Sequence, residues 1–251
     1  MLRTDVIAIL DGWLQPQLVQ DYCPNGLQVE GRSDIQHVIT GVTASQQLID
    51  EAVRLGADTL LVHHGYFWKG EDARVIGMKQ RRLKTLLAHD INLIGYHLPL
   101  DIHPEFGNNA ELLRLLGASS VDAVADVSPP GILMSGRLQS PKSGYELADA
   151  IETILQRTLV AVALNEQPIS RIAVCTGGGQ GFIEHAVDAG VDAFITGEVS
   201  EQTIHVAREC GIQFFAAGHH ATERYGVKAL GERLQKESGV RVDFVDMDNP
   251  A

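Results

Sequence analysis

Strand-like and helix-like stretches alternate along most of this chain, and the alternation restricts its fold more than any other feature. "HVITGV" (37–42) precedes a helical pattern over residues 45–55, and "TLLVHH" (59–64) precedes another over about 76–89. The same order returns between residues 170 and 246. Strands that alternate with helices usually pair in parallel, with each helix forming a right-handed crossover between two strands. The sequence therefore predicts an α/β fold with mostly parallel sheets.

The segment 121–168 interrupts this alternation. "SPPG" and "SPKSG" are rich in turn residues, and "ILMSGRL" between them is compatible with a short strand. Ser143 and Glu146 have the spacing of a capping box, which predicts a helix that begins after Ser143. We therefore expect a first α/β lobe over 1–120, a connecting subdomain over 121–168 and a second α/β lobe over 169–251.

A short internal repeat relates the two predicted lobes. "IDEAVRLGAD" (49–58) and "IEHAVDAGVD" (183–192) are identical at five of ten positions, and the second lies 134 residues after the first. Carried forward, this offset places Glu198 opposite His64. The repeat indicates pseudo-repeated halves.

A second similarity links His97-x-x-x-Asp101 with His219-x-x-x-Glu223, and each pair follows an apolar stretch. Similarities as short as these also arise by chance or from the shared composition of helices. As a duplication, they would pair two α/β halves and bring equivalent strand ends together.

Residues that can bind metal ions follow the predicted strands at four places. They are His63 with His64, His97 with Asp101, Glu198, and His219 with Glu223. Ligands of open α/β sheets bind beyond the carboxyl ends of the strands, so we expect these side chains to converge. Imidazole and carboxylate together suit zinc, manganese or iron, and a bridging carboxylate suits two ions about 3.5–4 Å apart.

Each of these positions also has a structural interpretation. A single histidine such as His97 is more often a hydrogen-bonded structural residue, and Glu198 can cap the helix that follows it. The glycine-rich "TGGGQG" (176–181) can hold an anion through its backbone amides, but it lacks the Lys and Ser/Thr of a P-loop. The recurrence of ligand types at equivalent strand ends favours metal binding.

The net charge of the chain restricts the kinds of partner it can bind, and its cysteines indicate the compartment in which it works. The net charge of −12 argues against DNA or RNA as a partner, because nonspecific binding relies on Lys and Arg at phosphates. Three cysteines without a CxxC spacing fit a reducing cytoplasm. No apolar run has the length of a membrane span, and the amino terminus lacks the form of a signal peptide. We expect a cytoplasmic protein that does not enter a membrane.

Seven segments taken together resemble the NIF-three-like family, whose members are often named GTP cyclohydrolase I type 2 homologues. They are "DYCPNGLQVEG" (21–31), "TGVTAS" (40–45), "VHHGYFWKG" (62–70), "GYHLPLD" (95–101), "CTGGGQ" (175–180), "ITGEVSEQ" (195–202) and "GHHATE" (218–223). The resemblance runs through nearly the whole chain in the same order. It is strongest to the short bacterial members that lack a large inserted domain.

This resemblance implies a two-lobed α/β/α fold and a ring-shaped homohexamer, a trimer of dimers, with dinuclear metal sites that face its interior. The matching motif positions imply five metal ligands, namely His63, His64, Asp101, His219 and Glu223. His97 and Glu198 lie outside the family's ligand set, so we expect them to orient a ligand or to face the substrate.

The function implied is a hydrolase that uses two divalent metal ions per chain, of zinc, manganese or iron. Its substrate would be a small molecule, with a nucleotide such as GTP suggested by the family name. The alternative is a noncatalytic metal-binding protein, either a metal chaperone or a regulatory scaffold. An open coordination position with bound water distinguishes the two, because catalysis needs one and storage does not.

Overall fold

Strands and helices alternate as expected in the computed structural model, which describes residues 1–251. The residues divide into two units. The first unit contains Met1–Leu100 and Val227–Asp248, and the second contains Asp101–Gly226 and Asn249–Ala251. The predicted α/β class is confirmed, because each unit combines one sheet with helices.

Three α-helices, one 3-10 helix and four strands form the amino-terminal part of the first unit. They are α1 (Arg3–Leu14), a 3-10 helix (Pro16–Leu18), β1 (Gly26–Val29), β2 (His37–Thr43), α2 (Gln46–Arg54), β3 (Thr59–His64), α3 (Gly77–Ala88) and β4 (Asn92–Gly95). Helix α2 begins where the Ser45 side chain accepts a hydrogen bond from the Leu48 N–H, which satisfies one of the free amides of the first turn.

Helix α4 (Leu98–Asp101) leads into the second unit. The elements that follow are α5 (Asn108–Leu115), β5 (Ser119–Ala123), β6 (Met134–Lys142), α6 (Gly144–Leu155), β7 (Ala161–Ala163), β8 (Ile169–Cys175), a 3-10 helix (Gln180–Phe182), α7 (Ile183–Asp188), β9 (Ala193–Thr196), α8 (Glu201–Cys210), β10 (Gln213–Ala216), α9 (His219–Thr222), α10 (Arg224–Ser238) and β11 (Arg241–Phe244). None of the helices has both the length and the apolar composition that a bilayer span requires.

The sheet of the first unit has the strand order β1-β4-β3-β2-β11. Its neighbouring strands are parallel except for β1, which is antiparallel to β4. The buried side of α2, formed by Leu48, Ile49 and Ala52, packs against buried residues of β2 and β3. Strand β3 is buried from Thr59 to His63, as expected for a central strand of a parallel sheet that is covered on both faces.

The sheet of the second unit has the order β5-β6-β8-β9-β10-β7. Strands β8, β9 and β10 are parallel, whereas β5, β6 and β7 pair antiparallel with their neighbours. The predicted capping box opens α6, with reciprocal hydrogen bonds between Ser143 and Glu146. Leu147, Ile151 and Leu155 of α6 are buried in the core of this unit. The sheets are therefore mixed, with parallel strands at their centres.

The units divide the chain at other points than the lobes expected from the sequence. Residues 101–120 belong to the second unit, and residues 227–248 return to the first, where β11 pairs with β2. The segment 121–168 supplies β5, β6 and β7 to the second sheet. These memberships follow from strand pairing, on which the local periodicity of a sequence carries no information.

The same strand register recurs in both units. Val38 of β2 pairs with Thr59 of β3, and Ile172 of β8 pairs with Ala193 of β9. Each residue of the second pair lies 134 positions after its counterpart, which is the offset of the sequence repeat. The structure of the two units thus agrees with pseudo-repeated halves.

An aspartate fixes the start of this strand pair in each unit. Asp58 Oδ2 accepts hydrogen bonds from the first backbone N–H of β2 and from the one before it, at 3.0 and 2.8 Å. Asp192, 134 positions later, accepts two equivalent bonds at 2.8 Å. The two units therefore share individual hydrogen bonds as well as the register of their strands.

The second sequence similarity is one residue out of register. Gly95 of β4 and Ala216 of β10 are the equivalent strand ends, because they pair with Val62 and Thr196, which are 134 positions apart. This correspondence sets His97 opposite Gly218 and not opposite His219. The two HxxxD/E motifs are consequently not structurally equivalent.

Candidate metal centre

His63 and His64 end the central strand of the first unit. His63 is fully buried and His64 is half-buried, and their ring centroids are 4.5 Å apart. His63 Nδ1 lies 3.0 Å from the backbone oxygen of Tyr96, and His64 Nδ1 lies 3.1 Å from Thr43 Oγ1. Because a carbonyl only accepts, His63 carries its proton on Nδ1 and offers Nε2 as a metal ligand.

His97 joins these two histidines from the end of β4. Its ring centroid is 5.1 Å from that of His63 and 5.6 Å from that of His64. One ring nitrogen of each histidine lies within 4.8 Å of the others, so that the three can hold a metal ion. The first unit thus presents three imidazoles at one point.

Glu223 lies between two other predicted ligands in the second unit. Its Oε1 is 3.3 Å from His219 Nε2, and one of its carboxylate oxygens is within 4.8 Å of one from Asp101. His219 begins the short helix α9, so Glu223 follows it by one turn on the same side. Glu223, Asp101 and His219 would together offer oxygen and nitrogen donors to a metal ion.

Glu198 and His219 form a close pair after β9 and β10. Glu198 Oε1 lies 2.7 Å from His219 Nδ1, and Ser200, not Glu198, caps helix α8. The capping role considered for Glu198 is therefore wrong, because the Ser200 side chain already accepts the hydrogen bond from the first turn of α8. Glu198 instead fixes the ring of His219.

The surroundings of His219 favour a positive charge. Burial alone would lower its pKa, but hydrogen bonds and charges from Glu223 and Glu198 outweigh burial and raise the pKa to about 9. Burial, with the charges of Asp101 and Glu223, also raises the pKa of the Cys175 thiol. An environment that holds a proton on imidazole also attracts a metal cation, which competes with that proton for the same nitrogen.

Asp101 is oriented by a buried polar group that the sequence did not indicate. Asn108 Nδ2 donates to Asp101 Oδ1 at 2.7 Å, and Thr176 Oγ1 donates to the same oxygen at 3.4 Å. Asn109 Oδ1 accepts from the Thr176 N–H at 2.8 Å. Both asparagines are fully buried. The one feature of the sequence that could have drawn attention to them is that two adjacent polar residues stand where helix α5 begins.

The glycine-rich segment lies against the carboxylate of Glu223. Gly177 has φ +62°, and a Cβ built on it would overlap Glu223 Oε1 and lie 3.0 Å from His219 Nε2. The Gly177 N–H donates to Thr222 Oγ1 at 3.0 Å. Only glycine permits both this conformation and this close approach. The anion contact predicted for the segment stays a prediction.

Each unit presents donors that fit divalent transition-metal ions. The first unit offers imidazole nitrogens from His63, His64 and His97, and the second offers one imidazole and two carboxylates. Mixed nitrogen and oxygen ligands of this kind suit zinc, manganese or iron. Asp21, which contacts His97, is a further polar residue of the first unit that sequence reasoning did not select.

A family model described as Duf34/NIF3 (NGG1p interacting factor 3) matches residues 1–250. A Pseudomonas aeruginosa protein named GTP cyclohydrolase 1 type 2 homolog is 56% identical over 241 residues, which cover 96% of this chain and 95% of that protein. A Haemophilus influenzae protein of the same name is 56% identical over 252 residues, covering 100% of both chains. The match thus covers 95–100% of the length of these two relatives.

Two solved structures extend this likeness to the fold. One is titled "Structural genomics, protein ybgI, unknown function", with a TM-score of 0.95, 53% identity and 100% coverage of both chains. The other is TTHA1606 from Thermus thermophilus, with a TM-score of 0.90, 33% identity and 100% coverage of both chains.

Proposed function

Because the chain belongs to the Duf34/NIF3 family, we propose that it is a dinuclear metal-dependent hydrolase with two divalent ions per chain. The ions are zinc, manganese or iron. Their ligands, taken as one set, are His63, His64, Asp101, His219 and Glu223. The observation that carries this proposal is the position of Glu223, whose carboxylate lies within reach of both Asp101 and His219.

Bound divalent ions supply a Lewis acid and activate water near neutral pH. The chain's own residues prepare the ligands for this role. Tyr96 fixes the tautomer of His63 through its backbone oxygen, and Asn108 holds one oxygen of Asp101. These contacts orient the ligand atoms before an ion binds, which lowers the cost of assembling the site.

The substrate class in this proposal is a small molecule, and GTP is the first candidate because relatives are named GTP cyclohydrolase 1 type 2 homologs. We also propose a cytoplasmic homohexamer, a trimer of dimers, as the working form. The three free cysteines, Cys23, Cys175 and Cys210, are consistent with a reducing compartment.

A turnover assay tests the proposed activity. Purified protein is incubated with GTP, other nucleotides and peptides, with and without added Mn²⁺ or Zn²⁺. We expect metal-dependent turnover that Glu223→Ala abolishes. The control His205→Ala, an exposed histidine on α8, should keep it. Full metal occupancy without turnover of any substrate would contradict the hydrolase and favour a metal chaperone or regulatory scaffold.

A further inference from the structure

The carboxylate of Asp21 accepts four hydrogen bonds, and one of the donors is His97. Its Oδ1 accepts from His97 Nδ1 at 2.7 Å and from the Tyr22 N–H at 2.6 Å. Its Oδ2 accepts from the Leu98 N–H and from Asn25 Nδ2, both at 2.9 Å. The Asp21 side chain is only 3% exposed. A buried carboxylate with four donors is fixed in position.

The hydrogen bonds decide which nitrogen of His97 carries a proton. The Tyr22 N–H, the Leu98 N–H and Asn25 Nδ2 all donate to the two oxygens of Asp21, which is the surrounding of a carboxylate that accepts and does not donate. The hydrogen between the two groups thus belongs to His97 Nδ1.

Because Nδ1 is engaged by Asp21, Nε2 is the nitrogen of His97 that remains for a metal ion. His97 shares a ligand-atom cluster with His63 and His64, and its Nδ1 is engaged with Asp21. Trp68 contacts the His97 ring edge to face, with centroids 4.9 Å apart. The ring is consequently held by a hydrogen bond at one edge and by an aromatic side chain beside it.

A separate metal site formed by Asp21, Cys23 and His97 is disfavoured, although their ligand atoms lie within 4.8 Å of one another. Both Asp21 oxygens are already occupied by donors. Burial and the Asp21 charge raise the pKa of Cys23 to about 12, which keeps the sulfur a protonated thiol. A thiolate is the form that binds metal.

We propose that Asp21 is a positioning residue of the metal centre, which holds His97 with its proton on Nδ1 and its Nε2 lone pair directed to the ion site of His63 and His64. This inference rests on the proposed function only in taking His63 and His64 as metal ligands. It assigns His97 a direct effect on how strongly the site holds an ion, and it assigns Asp21 an effect that acts only through His97.

Replacement of Asp21 by asparagine tests this assignment. All four partners of Asp21 are donors, so the amide NH₂ of Asp21→Asn must face another donor or force His97 into the opposite tautomer. We expect the Zn²⁺ affinity, measured by competition with a chromophoric chelator, to fall about 10–100-fold, as for other carboxylates behind metal-site histidines. His97→Gln should cause a similar loss.

The double variant supplies the readout that a purely structural role would not change. If Asp21 acts through His97, then Asp21→Asn/His97→Gln loses no more affinity than either single variant. The matched control is Asp11→Asn, because Asp11 accepts from the hydroxyl of Tyr96, the neighbour of His97, without touching the His97 ring. This control should bind Zn²⁺ as the unaltered protein does.

Wild-type affinity in Asp21→Asn, or losses that multiply in the double variant, would overturn the proposal. If the asparagine variant does not fold, Asp21→Ala removes the acceptor without adding a donor and should show the same coupling to His97→Gln. Affinity is measured without turnover, so a protein that binds Zn²⁺ with this coupling and hydrolyses nothing contradicts the hydrolase alone.

Discussion

Glu198 Oε1 lies 2.7 Å from His219 Nδ1, although the two residues are 21 positions apart in the chain. His219 thereby turns its Nε2 to Glu223, at 3.3 Å. A carboxylate behind a metal-binding histidine orients the ring and makes it a stronger ligand. In each unit a carboxylate therefore holds Nδ1 of a histidine that belongs to that unit's own group of possible metal ligands, Asp21 in the first and Glu198 in the second.

Glu198→Gln should weaken metal binding while leaving the fold intact. The amide is a poorer acceptor than the carboxylate and removes a charge near His219, so we expect a loss of about 10–100-fold in Zn²⁺ affinity. Competition with a chromophoric chelator measures it. Glu184→Gln, an exposed position on α7, is the control. Equal affinities in the two variants would show that Glu198 does not orient a ligand.

The metal-free protein should lose stability as the pH rises from 6.5 through about 9. The folded pKa of His219 is about 9 and its ordinary value is 6.5, so the folded state binds this proton more tightly than the unfolded state. The stabilisation is fully present below pH 6.5 and is lost as the pH passes the folded pKa. Chemical denaturation in the presence of a chelator measures it, and a His219→Gln variant with an unchanged pH dependence would contradict this origin.

Gly177→Ala should displace a candidate metal ligand, because the added methyl group projects from the backbone towards Glu223. The residue has φ +62°, and the added methyl would overlap Glu223 Oε1. The conformation alone costs about 1–2 kcal/mol, and displacement of Glu223 should lower metal occupancy. Gly181→Ala, where a Cβ meets nothing within 4 Å and φ is not positive, is the matched control. Denaturation midpoints and metal content of both variants decide the outcome, and full occupancy in Gly177→Ala would be contrary to this expectation.

The proposed hexamer should have a mass near six times 27.2 kDa by light scattering. This assembly, with metal sites that face the interior of a ring, is what the sequence resemblance to the family implies, and it stays a prediction. A protein that stays monomeric at micromolar concentration would contradict the assembly without bearing on the ligand assignment within the chain.

Local patterns were sufficient to predict most elements of this fold. The period of buried residues predicted α2 and β3, and the spacing of Ser143 and Glu146 predicted the start of α6, because those signals depend on neighbours in the chain. Strand partners were not predictable in this way. The pairing of β11 with β2 joins residues about two hundred positions apart, which is why the sequence alone assigned residues 227–248 to the second lobe.

The residues of the candidate site likewise fall into those that the sequence could indicate and those that it could not. Ligand types such as His63 and Glu223 could be selected because histidine and carboxylate at strand ends are chemically distinctive. The residues that orient these ligands could not be selected from the sequence. Asp21 reaches His97 across 76 positions, and Asn108 is an ordinary polar residue until its amide is seen to donate to Asp101. The one-residue shift between His97 and His219 also became visible only in the strand register.

Metal stoichiometry tests the central claim most directly. Protein purified without chelator and reconstituted with Zn²⁺ or Mn²⁺ is analysed for bound metal, together with His63→Ala, Glu223→Ala and the exposed control His89→Ala. The account predicts two ions per chain in the unaltered protein and in His89→Ala, and loss of metal in the two ligand variants. A metal content near zero in the reconstituted unaltered protein, or full occupancy in both ligand variants, would contradict it.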